Sequence, residues 1–233
     1  MTIHTESRNQ LLARLPEDDF HRLYARMQLT KLEAGQVLSK AGAPVDCVYF
    51  PDRAIISAIT IRENGGSHEV TTIGREGMVG LGALSAESIS SCELIVQVGG
   101  DALRLDTDAL EQEASLDSSL RRLLRLYHAA FRAQIAYSAV CNMLHSVEQR
   151  CCRWLLTTCD RLETNELPLG HEFLASMLQL RRTSVPDVLR PLSKQKLIRN
   201  RRESLVIADR SGLDRLACGC YRGVRDAFDR LLR

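Results

Sequence analysis

The sequence predicts an α+β chain with an antiparallel β-roll (jelly roll) in its N-terminal half, one long central helix and a winged helix-turn-helix at its C-terminal end. Three observations lead there. Between Gly35 and Asp106 the apolar residues fall in short β-branched stretches, VDCVYFPD, AIISAITI, HEVTTIG and CELIVQV, separated by turn signals such as AGAP, PDR and ENGG. From Thr107 to Leu162 there is no glycine or proline in 56 consecutive positions, which is the texture of helix. Beyond it, two short helix-periodic segments lie close together in the most basic part of the chain.

The bounds agree. At 233 residues, with 45% apolar and 26% charged residues, the chain can bury a core without disulfides or metals. No apolar run approaches the roughly 18 to 20 residues that cross a bilayer. The opening MTIHTESRNQ lacks the apolar stretch of a signal peptide. A cytoplasmic protein with no membrane partner is therefore expected. Its eight cysteines are expected to be thiols, and with no CxxC pair they do not spell a zinc ribbon or a ferredoxin-type cluster. The CGC at 218–220 can hold a soft metal only with ligands from elsewhere, so neither metal nor cofactor is expected.

Taken in order, Leu11, Leu12, Leu15, Phe20, Leu23, Met27 and Leu29 are spaced for short helices over Met1–Leu32, with Pro16 opening the second. The strand-period region follows; regularly spaced short strands of this kind suit a compact antiparallel roll. The glycine-rich GREGMVGLG is expected to lie within strands, with no helix to cradle a phosphate, and its glycines read as turns. DALEQEA is a short helix. From Leu116 a helix of about eight turns carries Leu120, Leu124, Tyr127, Phe131, Gln134, Tyr137, Cys141 and Leu144 at alternating steps of three and four. Such a stripe packs on its own domain or pairs with its twin across a dimer axis. VEQRCCRWLLTTCDRL continues the helical pattern with Val147, Cys151, Trp154, Leu155 and Leu162 inward, and ETNELP ends it.

The passage LPLGHEFLASMLQLRRTSVPDVLRPLSKQKLI is the most informative. Phe173, Leu174, Met177 and Leu178 give a short helix, QLRR a tight turn, and TSVPDVLRPL a second helix with Val185, Leu189 and Leu192 inward. Two helices joined this closely form a helix-turn-helix, whose second helix enters the DNA major groove. LIRNRRESLVIAD then reads as two strands around a polar turn, a wing with Arg199, Arg201 and Arg202 at its tip, suited to phosphates. The domains are thus 1–115 (β-roll with flanking helices), 116–145 (long central helix) and 146–233 (winged helix-turn-helix).

Charge supports the division. Residues 1–145 carry 14 Lys+Arg against 18 Asp+Glu, and residues 146–233 carry 17 against 11, so −4 and +6 underlie the overall +2. Between Arg181 and Arg202 eight basic residues face one acid, Asp187. A patch of this kind expects a polyanion.

With these motifs in place, the chain resembles the CRP/FNR family of bacterial transcription regulators over nearly its whole length, most specifically in VEQRCCRWLL followed by LASMLQLRRTSVPDVLRPLSKQKLI. The resemblance implies a sensory role for 1–115, a homodimer formed by the long central helix, 116–145, double-stranded DNA as partner, and RNA polymerase as a further one. It places Arg182 and Thr183 at base-reading positions, flanked by Arg181 and Ser184, with Asp187 at another. Arg182 suits guanine O6 and N7, and Asp187 a cytosine amino group. Arg190, Lys194 and Lys196 fall to the phosphate backbone or to solvent.

The resemblance also marks departures. Where cyclic-nucleotide binders of the family carry Gly-Glu, this chain has Gly80 followed by Leu81, and their Arg-Ser/Thr-Ala aligns with Ser90, Ser91 and Cys92. Without the guanidinium fork, no cyclic-nucleotide binding is expected. No cysteine precedes Cys47, which speaks against the family's N-terminal iron–sulfur cluster. His68 and His128 read as ordinary side chains, not haem ligands. Cys151 and Cys152, beside Arg150 and Arg153, are candidates for a thiol switch. Pro186 and Pro191 fall inside the expected reading helix and should kink or shorten it, with Pro186→Thr expected to stabilise it. That leaves an alternative function, a ligand-sensing or protein-interaction module with a damaged DNA-reading helix. An enzyme is not expected, since the sequence has no P-loop, GxSxG or HExxH.

Overall fold

The structure, a computed structural model, describes residues 7–61, 67–84, 88–115, 118–168, 170–201 and 204–231. The ENGG turn, Leu116 and Arg202 lie outside the described residues. The chain forms two compact units, Met1–Gln134 with Ala227–Arg233, and Ile135–Asp226.

In the first unit, helix α1 (Glu17–Tyr24) opens after Pro16 with Glu17, Asp18 and Asp19 at its positive end and buries Phe20 and Leu23. Seven strands follow: β1 (Gln28–Leu32), β2 (Val37–Ser39), β3 (Cys47–Pro51), β4 (Ile55–Ile61), β5 (Ser67–Ile73), β6 (Glu93–Val98) and β7 (Gly100–Asp106). They form two antiparallel sheets, in the orders β1-β7-β3 and β2-β6-β4-β5. Inward-facing Leu32 and Ala102 of one sheet meet Ile56, Ala58, Leu94 and Val96 of the other in a shared core. Buried Asn9 ties the N-terminal segment down. Its Nδ2 donates to the carbonyls of Pro51 and Gly77, both at 2.9 Å, and its Oδ1 accepts from the amides of Leu11 and Leu12.

Two expectations change here. The helical segment expected to run to Leu32 ends earlier, and Gln28–Leu32 pairs instead with Gly100–Arg104, a long-range partner that local periodicity does not see. The GREGMVGLG stretch is a turn and a single bridge (Tyr49 to Val79), leading into a 3-10 turn over Leu81–Leu84. Helix α2 (Thr107–Glu113) follows β7, and the long helix α3 (Ser119–Leu144) follows α2.

In the second unit, helix α4 (Val147–Leu162) starts on a capping box. The Ser146 hydroxyl accepts from the Gln149 amide at 3.2 Å, and the Ser146 amide donates to Gln149 Oε1 at 3.1 Å. It ends at Glu163, in the left-handed region with φ 51°. Then come β8 (Glu166–Leu167), α5 (His171–Leu178), α6 (Val185–Lys194), β9 (Ile198–Asn200), β10 (Leu205–Ile207), α7 (Arg210–Leu216) and α8 (Cys220–Leu231), which starts in this unit. The sheet order is β8-β10-β9, all antiparallel. Cys151, Cys152, Trp154, Leu155, Leu174, Leu178, Val185, Leu189 and Leu192 share one core with Ile198, Leu205 and Ile207. Among the described residues, no helix is long and apolar enough to cross a membrane.

Candidate nucleic-acid interface

The expected helix pair is formed, but its second member begins later than its sequence suggests. Helix α5 stops at Gln179, in the left-handed region with φ 57°, and the Leu180 amide reaches back to the Ala175 carbonyl at 2.8 Å. Arg182–Ser184 make a 3-10 turn, and α6 proper starts at Val185. Pro186 therefore sits in the first helical turn, where the amide it lacks would have had no intrahelical partner. The expectation that Pro186 strains the helix is corrected by this start point. Pro191 does lie inside α6 and removes the donor to the Asp187 carbonyl, yet the helix runs ten residues. With Pro186 accommodated, Pro191 is the one of the two prolines that still interrupts the helix, and α6 forms around it.

Burial divides the segment cleanly. Val185, Leu189 and Leu192 are buried. Arg181, Arg182, Thr183, Asp187, Arg190, Lys194 and Lys196 are exposed, and Ser184 is half-buried. Arg182 approaches Glu172 at 3.8 Å and Arg190 approaches Asp187 at 3.5 Å, loose pairs on side chains that are mostly solvated. Arg181, Lys194 and Arg199 are exposed and make no ion pair among the described residues. In the wing, Arg201 donates to Glu166 Oε1 at 2.8 Å, and Ser204 donates to the same oxygen at 2.7 Å. Those two hydrogen bonds, Ser204 first, hold the Glu166 carboxyl below its ordinary range. Arg201 thus has a partner already, unlike Arg199. A concavity of about 430 Å³ between helix pair and wing is lined by His171, Glu172, Arg182, Asn200, Arg201 and Ser204.

The expected dimer stripe of α3 largely turns inward, which is a correction. In the first unit Leu120, Leu124 and Tyr127 are buried, Phe131 packs against the roll core, and buried Gln134 donates to the Thr72 carbonyl at 2.7 Å and to the Thr71 hydroxyl. In the second unit Cys141 is fully buried, Tyr137 lies over Gly223, and only Leu144 is widely open. The helix carries a second row at the same alternating spacing, Leu126, Ala129, Ala133, Ala136, Val140 and Met143. All but half-buried Ala133 are exposed, Met143 at 81% and Leu126 at 49%. Periodicity shows that a face is apolar; it does not show what covers it.

In the roll, Gly80, Leu81, Ser90, Ser91 and Cys92 line one cleft, with Phe131 of α3 beside them. The cleft measures about 80 Å³, and no cation lines it among the described residues. Small-molecule sites ordinarily occupy about 300 to 1,000 Å³. The Cys151 and Cys152 thiols are fully buried in the core of the second unit, and burial pushes both up, Cys152 to about 12. A thiol switch needs an accessible thiolate, so this pair does not supply one.

A cyclic nucleotide-binding domain family matches residues 29–116, and a Crp-like helix-turn-helix domain family matches residues 149–216. Among solved structures, FixK2 from Bradyrhizobium japonicum is 16% identical, with a TM-score of 0.66 over 82% of this chain and 98% of that one. A CRP-family transcriptional regulator from Thermus thermophilus is 15% identical, with a TM-score of 0.67 over 81% and 96%. The c-di-GMP responsive global regulator CLP of Xanthomonas campestris is 16% identical, with a TM-score of 0.63 over 82% and 99%. No curated protein matches the chain.

Proposed function

We propose that the chain, a member of the CRP/FNR family of transcription regulators, reads duplex DNA as a homodimer whose β-roll works without cyclic nucleotide. One observation carries the reading of the site: Arg181, Arg182 and Thr183 stand exposed at the entry to α6, while Val185, Leu189 and Leu192 anchor that helix from beneath. A helix held rigidly by its inner face presents its outer residues to base edges at fixed spacing. Arg182, Thr183 and Asp187 contact bases, Arg181 and Ser184 flank them, and Arg190, Lys194, Lys196 and Arg199 meet phosphates. Arg201 braces the wing through Glu166.

The dimer forms on the outer row of α3, Leu126 to Met143. Its three alanines let two helices approach closely, and Leu126, Val140 and Met143 supply the apolar area. Among the described residues the cleft of the roll offers neither a cation nor the volume for a cyclic nucleotide, so we take its signal to be of another kind or the roll to act as a scaffold. RNA polymerase is the further partner that membership of this family supports, and the chemistry is binding, not catalysis.

Gel shifts on DNA upstream of the protein's own gene, repeated at several salt concentrations, test the reading. We expect specific binding whose log affinity falls linearly with log salt. Equal binding to scrambled DNA contradicts it. Saturable calorimetric binding of cyclic AMP or cyclic GMP contradicts the nucleotide-free roll.

A further inference from the structure

Four side chains outside the DNA-facing surface converge within the second unit. Cys141 and His145 are one turn apart at the end of α3, where the His145 amide still donates to the Cys141 carbonyl at 3.2 Å. Cys218 and Cys220 flank Gly219 at the start of α8. The ligating atoms of all four lie within 4.8 Å of one another. The Cys141 and Cys218 sulfurs are 3.4 Å apart, and the Cys220 sulfur is 3.7 Å from His145 Nδ1. The three cysteines are buried and the histidine half-buried, and the sulfurs form a cluster of their own apart from the main core.

We propose that Cys141, His145, Cys218 and Cys220 bind one zinc ion as a closed Cys₃His site that fastens the end of α3 to the start of α8. The spacing is that of a shared centre. A tetrahedral ion with Zn–S near 2.3 Å and Zn–N near 2.0 Å sets its ligand atoms about 3.5 to 3.8 Å apart. The Cys141–Cys218 and Cys220–His145 separations fall on this scale, and the widest pair needs to close by about 1 Å. A 3.4 Å sulfur separation is far outside a covalent S–S bond of about 2.0 Å, so the cysteines stand as thiols. Three thiolates are soft donors that select zinc over magnesium or calcium. Four protein ligands leave no open position, which makes the site structural and not catalytic.

The surroundings suit the charge. Three thiolates and one Zn²⁺ carry −1, and the positive charge of Arg153 acts on the Cys141, Cys218 and Cys220 sulfurs alike. Arg153 Nε is buried and makes no hydrogen bond. The positive end of α8 favours thiolates at Cys218 and Cys220. On binding, each thiol gives its proton to solvent, so uptake is accompanied by release of up to about three protons per zinc.

The test uses the full chain purified under reducing conditions. We expect one zinc per chain by elemental analysis. After removal by chelator, cobalt(II) added in its place should give thiolate-to-cobalt charge transfer in the near ultraviolet and tetrahedral visible bands. Cys141→Ser and Cys218→Ser should lose stoichiometric zinc, whereas Cys92→Ser, in the first unit, should keep it. Should the serine variants fail to fold, differential alkylation of the natural chain decides: Cys141, Cys218 and Cys220 should be protected with zinc bound and become reactive after chelation. A reduced chain that takes up neither zinc nor cobalt overturns the proposal. So does zinc retained in the Cys141→Ser/Cys218→Ser double variant, iron with labile sulfide in place of zinc, or a Cys141–Cys218 disulfide in the isolated protein.

Discussion

The Tyr127 hydroxyl donates to the Met78 carbonyl at 2.9 Å, and the ring it belongs to fills the space where a side chain at Gly77 would begin. A Cβ built on Gly77 would stand 2.3 Å from that hydroxyl, so glycine is required here by close approach. The contact joins α3 to the turn after β5 at the edge of the roll's cleft. Gly77→Ala should destabilise the first unit by about 1–3 kcal/mol through overpacking. Tyr127→Phe should cost about 1–3 kcal/mol by withdrawing a buried donor. Urea melts followed by circular dichroism check both values.

The outer row of α3 gives the second prediction. Val140→Glu and Ala136→Glu place a charge on the proposed seam without touching the inward row. Sedimentation should show each variant shifting from the mass of two chains toward that of one, while Tm falls little. If both remain dimeric, the seam lies elsewhere.

Base reading and phosphate contact separate by their salt dependence. Arg182→Ala should weaken binding to the specific site by about 1–3 kcal/mol and relax preference at one base position. Lys194→Ala should weaken binding to all sequences alike and lower the salt slope by about one. Titrations of specific and scrambled duplexes across a salt series measure both.

The two prolines of α6 should behave differently. At Pro186, in the first turn, replacement by alanine should leave stability within about 0.5 kcal/mol. Replacement of Pro191 should restore a helical hydrogen bond and raise stability by about 1–3 kcal/mol. Thermal melts of the two variants side by side give the comparison.

Glu113 accepts from Arg22 at 2.9 Å and from Arg26 at 3.2 Å, and these guanidinium groups, Arg22 foremost, hold its carboxyl below the ordinary 4.5. A depressed carboxylate stabilises the folded chain above the unfolded pKa and loses that contribution as pH falls through the folded one. Glu113→Gln should therefore lower Tm at neutral pH, with the difference from the natural chain shrinking below about pH 4.5 and gone once both states are protonated. A difference that persists in acid shows that packing, not charge, is responsible.

Legibility in the sequence followed the range of the interactions. Val185, Leu189 and Leu192 were readable because they repeat at helical spacing within eight residues, and β6 because CELIVQV alternates. Strand β1 was not, because its structure comes from pairing with β7, some seventy residues away. The two rows of α3 share one period, so spacing alone did not separate the row that packs inward at Tyr127 and Cys141 from the one left open at Val140 and Met143. The start of α6 moved from Thr183 to Val185, which reversed the meaning of Pro186. Cys141 and Cys218 are separated by 77 positions, and neither half of their cluster has the spacing of a metal motif by itself.

The most direct test of the central claim is selection of binding sites from a random duplex pool with the full-length chain. A homodimer reading bases through α6 should enrich a two-fold symmetric sequence whose half-sites lie about one helical turn apart, or a whole multiple of it. A pool that enriches no sequence, or only a single unsymmetrical half-site, contradicts the account.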